Sequence, residues 1–323
     1  MAKQIAEKLF PPIKPYHSGY LAVGDGHEIY YEECGNPNGV PVLYLHGGPG
    51  AGCDENARRF FNPKKCRVLL FDQRGSGRSK PYASISANTL WRLVEDIQKL
   101  LAYRGIEKVL LFGGSWGSTL ALVYAECHPG NVLGMVLRGI FLSEQAEVRD
   151  YCEGVSNTRF PELWKRFISN IPLKFRRSRP VDSYFAQMTG DGEKTKAHYA
   201  YEWAYYESAR LNLVPKNDKE LEREIKSEPY VALSILEAHY IRHLCFLDDG
   251  FIMRNIERIP HVPVSIIHGR YDDVCMVESA IKLHRALPGS TLHIVVAGHS
   301  RSDPEILKKL VSETDSMISK LRK

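Results

Sequence analysis

Between Leu110 and Leu122 the chain reads Leu-Leu-Phe-Gly-Gly-Ser-Trp-Gly-Ser-Thr-Leu-Ala-Leu. An apolar run ends in Gly113-x-Ser115-x-Gly117 and passes at once into a second apolar run with helical spacing. That pattern predicts a strand, a sharp turn and a helix, with a serine at the bend. A turn this tight crowds its neighbours, and glycine on either side removes the Cβ atoms that would collide. The geometry would lift the Ser115 hydroxyl above the end of a sheet. It would also set the Trp116 amide at a helix start, where N–H groups have no intrahelical partner. A chemically idle Gly/Ser-rich loop could be spelled with the same letters, so the rest of the chain has to decide.

On either side of this stretch, strands alternate with helices. Pro41–Leu45, Cys66–Phe71 and Val132–Phe141 read as buried apolar strands, and His27–Glu33 alternates as an outer strand. Phe10–Tyr16 is a proline-stiffened, extended lead-in. Leu90, Leu93, Ile97, Leu100 and Leu101 form one helical stripe, and Gly105 suits its C-terminal stop. Alternation at this spacing requires parallel pairing with right-handed crossovers. From Ser143 to about Arg258 the alternation gives way to helical, aromatic and charged text without strand runs. It resumes with Val262–His268 (strand), Val277–Leu287 (helix), Thr291–Val296 (strand) and Pro304–Leu321 (helix). The expectation is an α/β fold, a mostly parallel sheet with helices on both faces. Residues 1–142 and 259–323 form a discontinuous core, and 143–258 form an inserted helical cap.

Composition narrows the function. A net charge of +5 over 323 residues is too diffuse to argue for nucleic acid. The densest basic cluster, Lys174-Phe175-Arg176-Arg177-Ser178-Arg179, reads as a solvated surface segment. Seven scattered cysteines with no C-x-x-C match neither a zinc site nor a disulfide framework. Met1–Tyr20 carries no apolar core of signal-peptide length, and no segment reaches membrane-span length. A reducing, cytoplasmic setting is the expectation, with no membrane or nucleic-acid partner; oligomeric state is not legible.

A serine nucleophile needs a base, the base needs an orienting carboxylate, and the tetrahedral intermediate needs N–H donors. In a sheet of this kind these groups belong just past the carboxyl ends of strands, in the order Ser, acid, His. Ile266-Ile267-His268-Gly269-Arg270-Tyr271-Asp272 sets Asp272 beyond one strand. Val295-Val296-Ala297-Gly298-His299 sets His299 beyond the next. Asp273 is a rival acid; because neighbouring residues point in different directions, Asp272 is taken to face the imidazole and Asp273 to cap the following segment. His268 and His46 are expected to hold loops. The oxyanion donors would be the amide of Trp116 and one amide of the His46-Gly47-Gly48 loop, assigned to Gly48.

His46-Gly47-Gly48-Pro49-Gly50, Asp72-Gln73-Arg74-Gly75-Ser76-Gly77-Arg78-Ser79, Gly113-Gly114-Ser115-Trp116-Gly117-Ser118, Leu137-Arg138-Gly139-Ile140-Phe141, Gly269-Arg270-Tyr271-Asp272 and Gly298-His299-Ser300 together resemble the proline iminopeptidases. These are serine peptidases of the α/β-hydrolase fold, and the resemblance runs essentially end to end. It implies removal of N-terminal proline from small peptides, without metal or cofactor. Two cap glutamates would hold the free amine, at Glu207 in Trp203-Ala204-Tyr205-Tyr206-Glu207 and at Glu237, with Phe141 and Tyr151 lining the proline pocket. The chain departs from the family pattern at Tyr206, where a second Trp is usual, and at Met276, Arg301 and Asp303.

The residues speak to the amine site on their own. Leu233, Glu237, Ile241 and Leu244 share one helical face, and a carboxylate on an apolar stripe is costly unless a cation meets it. A protonated secondary amine is one such cation; an internal arginine, Arg242 or Arg210, is another. Glu207 could equally sit on a solvated face. The competing activity is an esterase or amidase of the same fold without free-amine specificity. An elbow bearing Ser115 rather than Asp disfavours an epoxide hydrolase or dehalogenase. Cys275, near Asp272, and Cys53, near the oxyanion loop, are expected to make the protein sensitive to bulky thiol reagents.

Overall fold

The computed structural model describes residues 9–153, 159–175 and 178–322. Its sheet is built from β1 (His17–Gly24), β2 (His27–Gly35), β3 (Val40–Leu45), β4 (Cys66–Phe71), β5 (Val109–Ser115), β6 (Val132–Ile140), β7 (Val264–Gly269) and β8 (Thr291–Val295). Their spatial order is β1-β2-β4-β3-β5-β6-β7-β8. Strand β2 is antiparallel to both its neighbours, and every pairing from β4 to β8 is parallel. The sequence reading put β2 at the outside; β1 lies beyond it. As an edge strand with one partner, β1 alternates between half-buried and exposed residues and carries no apolar run to betray it.

The helices are α1 (Leu90–Tyr103), α2 (Trp116–Cys127), α3 (Gln145–Glu153), α4 (Pro161–Ser169), α5 (Pro180–Thr189), α6 (Glu193–Ser208), α7 (Asp218–Ser227), α8 (Tyr230–Arg242), α9 (Phe251–Asn255), α10 (Val277–Ala286) and α11 (Pro304–Leu321). The Thr89 hydroxyl accepts from the Arg92 amide to open α1, and Gly105, at φ +63°, closes it. The expected stripe of Leu90, Leu93, Ile97, Leu100 and Leu101 is buried.

The strands bury both faces, which is why they read as continuous apolar runs. Leu43, Leu45, Leu69, Phe71 and Leu111 pack toward α1, α2 and α10. Val42, Tyr44, Val68, Leu70 and Leu110 pack toward α11 and the short turn at Glu55–Phe60. Helices α3 to α9 fall between β6 and β7, and they carry an apolar cluster of their own that includes Phe167, Tyr184, Met188, Trp203 and Tyr206. Of the basic cluster, Arg176 and Arg177 lie outside the described residues; Arg179 pairs with Asp182 at 2.8 Å. No helix among the described residues is long and apolar enough to cross a membrane.

Candidate active site

Ser115 sits where β5 ends and α2 begins, at φ 57° and ψ −128°. A non-glycine residue at positive φ is held there against a steric cost, which the surroundings must impose. They do: a Cβ on Gly113 would overlap the Gly117 carbonyl, and one on Gly117 would overlap the Leu45 carbonyl at the end of β3. One turn into α2, the Ser118 hydroxyl donates to the Ser115 carbonyl at 2.7 Å and accepts from the Phe141 amide at 3.2 Å. Thr119 donates to the Phe141 carbonyl at 2.6 Å. The nucleophile helix thus fixes the backbone of Phe141.

Asp272 follows β7 and His299 follows β8, two strands that lie side by side. Nδ1 of His299 is 2.8 Å from Oδ2 of Asp272. The other carboxylate oxygen accepts from the amides of Val274 at 2.9 Å and Cys275 at 2.8 Å. Burial by itself would raise Asp272, but the charge and hydrogen bond of His299, with help from His268 and the Cys275 amide, bring it down to about 2. Asp273 turns away and pairs with Arg159. The capping role expected of Asp273 therefore falls to Asp272. Gly139, at φ +55°, lies against the pair; a Cβ there would stand 3.0 Å from His299 Cε1.

The second imidazole nitrogen is not idle. Nη1 of the buried Arg138 donates to His299 Nε2 at 3.1 Å and to the His299 carbonyl at 2.9 Å. No hydrogen bond joins Ser115 to His299; Ser115 shares the cavity wall with Cys275, whose thiol burial keeps well above its ordinary ionisation range. His268, kept neutral by burial, accepts from the Ile140 amide at 3.0 Å and donates to the Cys275 carbonyl at 3.0 Å.

The loop after β3 is fixed from one residue. Gln73 donates its side-chain N–H to the His46 carbonyl at 3.0 Å and its amide to His46 Nε2 at 3.0 Å. Its side-chain oxygen Oε1 accepts from the Trp116 indole N–H at 2.9 Å. Gln73 thereby ties the Gly48 loop to the elbow. Gly50, at φ +112°, has the backbone of α8 directly above it, 2.7 Å from Leu233 Cα to a Cβ built there.

One cavity, about 450 Å³ of empty space with its mouth included, is lined by Gly48, Ser115, Phe141, Tyr151, Glu207 and Glu237, with Val148, Ile241, Cys245, Val274 and Cys275 among its walls. The two glutamates, on α6 and α8, are hydrogen-bonded to each other. Glu237 also accepts from the Trp203 indole at 2.8 Å, and Oε2 of Glu207 is buried without a partner. Burial, then the Glu207 charge and the shared hydrogen bond, hold the Glu237 carboxyl well above its ordinary range. Neither internal arginine neutralises it. Arg242 pairs with Asp182 at 3.3 Å, and Arg210 bonds only to carbonyls of Tyr206 and Asp273. Tyr206, where the family pattern has a second Trp, lies behind Tyr151, stacked on Phe167 at 4.4 Å between centroids.

Residues 40–302 match the family model described as alpha/beta hydrolase fold. A proline iminopeptidase from Xylella fastidiosa is 42% identical over 319 residues, covering 96% of this chain and 99% of that protein. One from Neisseria meningitidis serogroup B is 43% identical over 313 residues, covering 95% and 98%. This chain belongs to the proline iminopeptidase family. An Arabidopsis thaliana member is 41% identical over 96% of this chain and 82% of its own length. Among solved structures, an esterase from Exiguobacterium antarcticum matches at TM-score 0.64 with 20% identity, covering 95% of this chain and 100% of its own; it shares the fold.

Sequence reasoning did not single out Gln73, Ser118, Thr119, Arg138 or Gly139 as parts of the site, although all but Thr119 lie inside motifs quoted for the family. A buried arginine in a strand, such as Arg138 in β6, was the strongest available signal, because a charge there must be paired with something.

Proposed function

We propose that this family member is a serine exopeptidase that releases N-terminal proline from peptides through an acyl-enzyme. One observation carries the reading: the Ser115 hydroxyl and the Glu207–Glu237 pair line the same cavity. The proline ring enters between Phe141 and Tyr151, and its nitrogen meets the two carboxyl groups. Arg138 gives up its hydrogen bond to Nε2 of His299, and the Ser115 hydroxyl turns to that freed lone pair, which takes its proton as the oxygen attacks the prolyl carbonyl. The imidazolium is held by Asp272. The amides of Trp116 and Gly48 receive the oxyanion, each contributing about 2.7–4 kcal/mol in the transition state. His299 then protonates the leaving amine, and water resolves the ester. The cap helices close the pocket on the amine side, so a proline with a residue before it has no room.

The test compares proline β-naphthylamide with its N-acetylated form, in wild type, Glu207→Gln and Glu237→Gln. A charge-assisted contact is worth roughly 1.5–3 kcal/mol, so each substitution should cost about 10–100-fold in kcat/KM, mostly through KM. The N-acetylated form should be turned over poorly by all three. Equal turnover of both substrates by wild type would instead indicate an esterase or amidase without amine specificity.

A further inference from the structure

Arg210 lies one helical turn beyond Glu207 and is 2% exposed. Its guanidinium carbon is 4.0 Å from the Tyr206 ring centroid and 5.0 Å from that of Tyr151, a wall of the cavity. Its hydrogen bonds are to the carbonyls of Tyr206 at 3.2 Å and Asp273 at 3.5 Å, and Nη2 is buried without a partner. Among the described residues no carboxylate pairs with it. Its positive charge nonetheless reaches Glu237, whose ionised form it favours.

The charges add up simply. Two carboxyl groups in hydrogen-bond contact hold one proton between them, because two like charges cannot both be borne there. One carboxylate, one carboxylic acid and one guanidinium sum to zero. A pyrrolidinium ion entering with that proton still in place would leave a net positive charge in a buried site, which is costly. Loss of the proton restores neutrality.

We propose that the amine subsite is a cation-for-proton exchanger: the substrate's protonated ring nitrogen displaces the single proton shared by Glu207 and Glu237, and Arg210 sets that one-for-one stoichiometry. The exchange rests on the reading that the two glutamates hold the amine. The O–H bond of one carboxylic acid breaks, the proton leaves to buffer, and the two N–H groups of the secondary ammonium are then shared between two carboxylates. The other groups facing the pair are the Trp203 indole N–H, the Tyr151 phenol and the thiols of Cys245 and Cys275, both held protonated by burial. At the outer side stands Glu228, raised by burial first and by the charge of Glu207 among others. None of these supplies a second cation.

The probe is L-prolinol, a pyrrolidinium at pH 7 with no scissile carbonyl, bound to the full-length protein and followed by calorimetry in buffers of different ionisation heat. Wild type should release about one proton per ligand, and Kd should tighten about tenfold per pH unit between pH 6 and 8. In Arg210→Met the pair's own negative charge already matches the ligand, so release should fall toward zero and the pH slope should flatten. Glu237→Gln has no proton to give and should also release none, while Glu207 still selects the cation; this variant keeps the test alive if Arg210→Met does not fold. Amine-dependent binding by wild type without proton release would overturn the exchange. Unchanged release in Arg210→Met would overturn the part given to Arg210. L-prolinol binding no tighter than cyclopentylmethanol would instead overturn the glutamate reading beneath both.

Discussion

Nη1 of Arg138 lies 3.1 Å from Nε2 of His299, the nitrogen that would accept the serine proton. A guanidinium can only donate, so Nε2 is the acceptor and the ring proton sits on Nδ1, facing Asp272. Arg138 therefore selects the tautomer with its proton on Nδ1, and it occupies the single lone pair that a serine proton would need. It also holds the loop through the His299 carbonyl at 2.9 Å.

Replacing Arg138 by Met should raise kcat toward proline β-naphthylamide, by up to about 10-fold with little change in KM, because one charge-assisted hydrogen bond no longer has to break before Nε2 takes the proton. Arg138→Lys should fall back toward wild type, since one N–H donor returns to compete for Nε2. A rise in KM at constant kcat would show that the residue serves the pocket and not the imidazole.

Asp272→Asn should cost on the order of 10³–10⁴ in kcat by favouring the wrong tautomer, read by steady-state kinetics. The same carboxylate has a consequence for stability. Its folded-state ionisation is lowered to about 2, against about 3.9 in an unfolded chain. A depressed acid contributes stability that is fully present above pH 4 and is lost as the pH falls through about 2. The contribution is on the order of 2 kcal/mol. Urea denaturation from pH 2 to 6 should show a steeper acid decline in wild type than in Asp272→Asn.

Cys275 lines the cavity with Ser115, and burial keeps its thiol protonated. Slow inactivation by a bulky mercurial, prevented by L-prolinol, should follow. Cys275→Ser should keep most activity and resist the reagent. Cys53, whose thiol donates to the Phe71 carbonyl at 3.2 Å, lies off the cavity wall and should contribute little. A Cys275→Ser protein inactivated as fast as wild type would move the sensitive thiol elsewhere.

Glu126, in the last turn of the nucleophile helix, has both carboxyl oxygens buried without a hydrogen-bond partner. Burial, opposed only by the charge of Arg258, raises it to about 8. A raised acid favours the folded state while protonated, so its destabilising effect grows from about pH 4.3 and saturates above pH 8. Glu126→Gln should therefore raise stability at pH 8 more than at pH 5, by about a few kcal/mol at most, read as a larger rise in melting temperature at pH 8. Equal shifts at both values, by calorimetry, would contradict the buried acid.

Residue pattern alone was enough for the alternation of elements, the elbow at Ser115, and the placing of Asp272 and His299 just past strand ends. These are local matters: hydrophobic period, glycine where a Cβ cannot fit, and strand exits marked by turn residues. The edge strand His17–Gly24 escaped because an edge needs no apolar run. Packing fixed the contact of Asp272 with the imidazole, the hold of Arg138 on Nε2 and the place of Tyr206 behind Tyr151. It also decided that Glu207 and Glu237, from different helices, touch each other with a lone Arg210 nearby. Contacts between residues far apart in the chain follow from how faces pack, and side-chain direction after a strand end depends on one or two backbone angles. Neither is written in residue type or spacing.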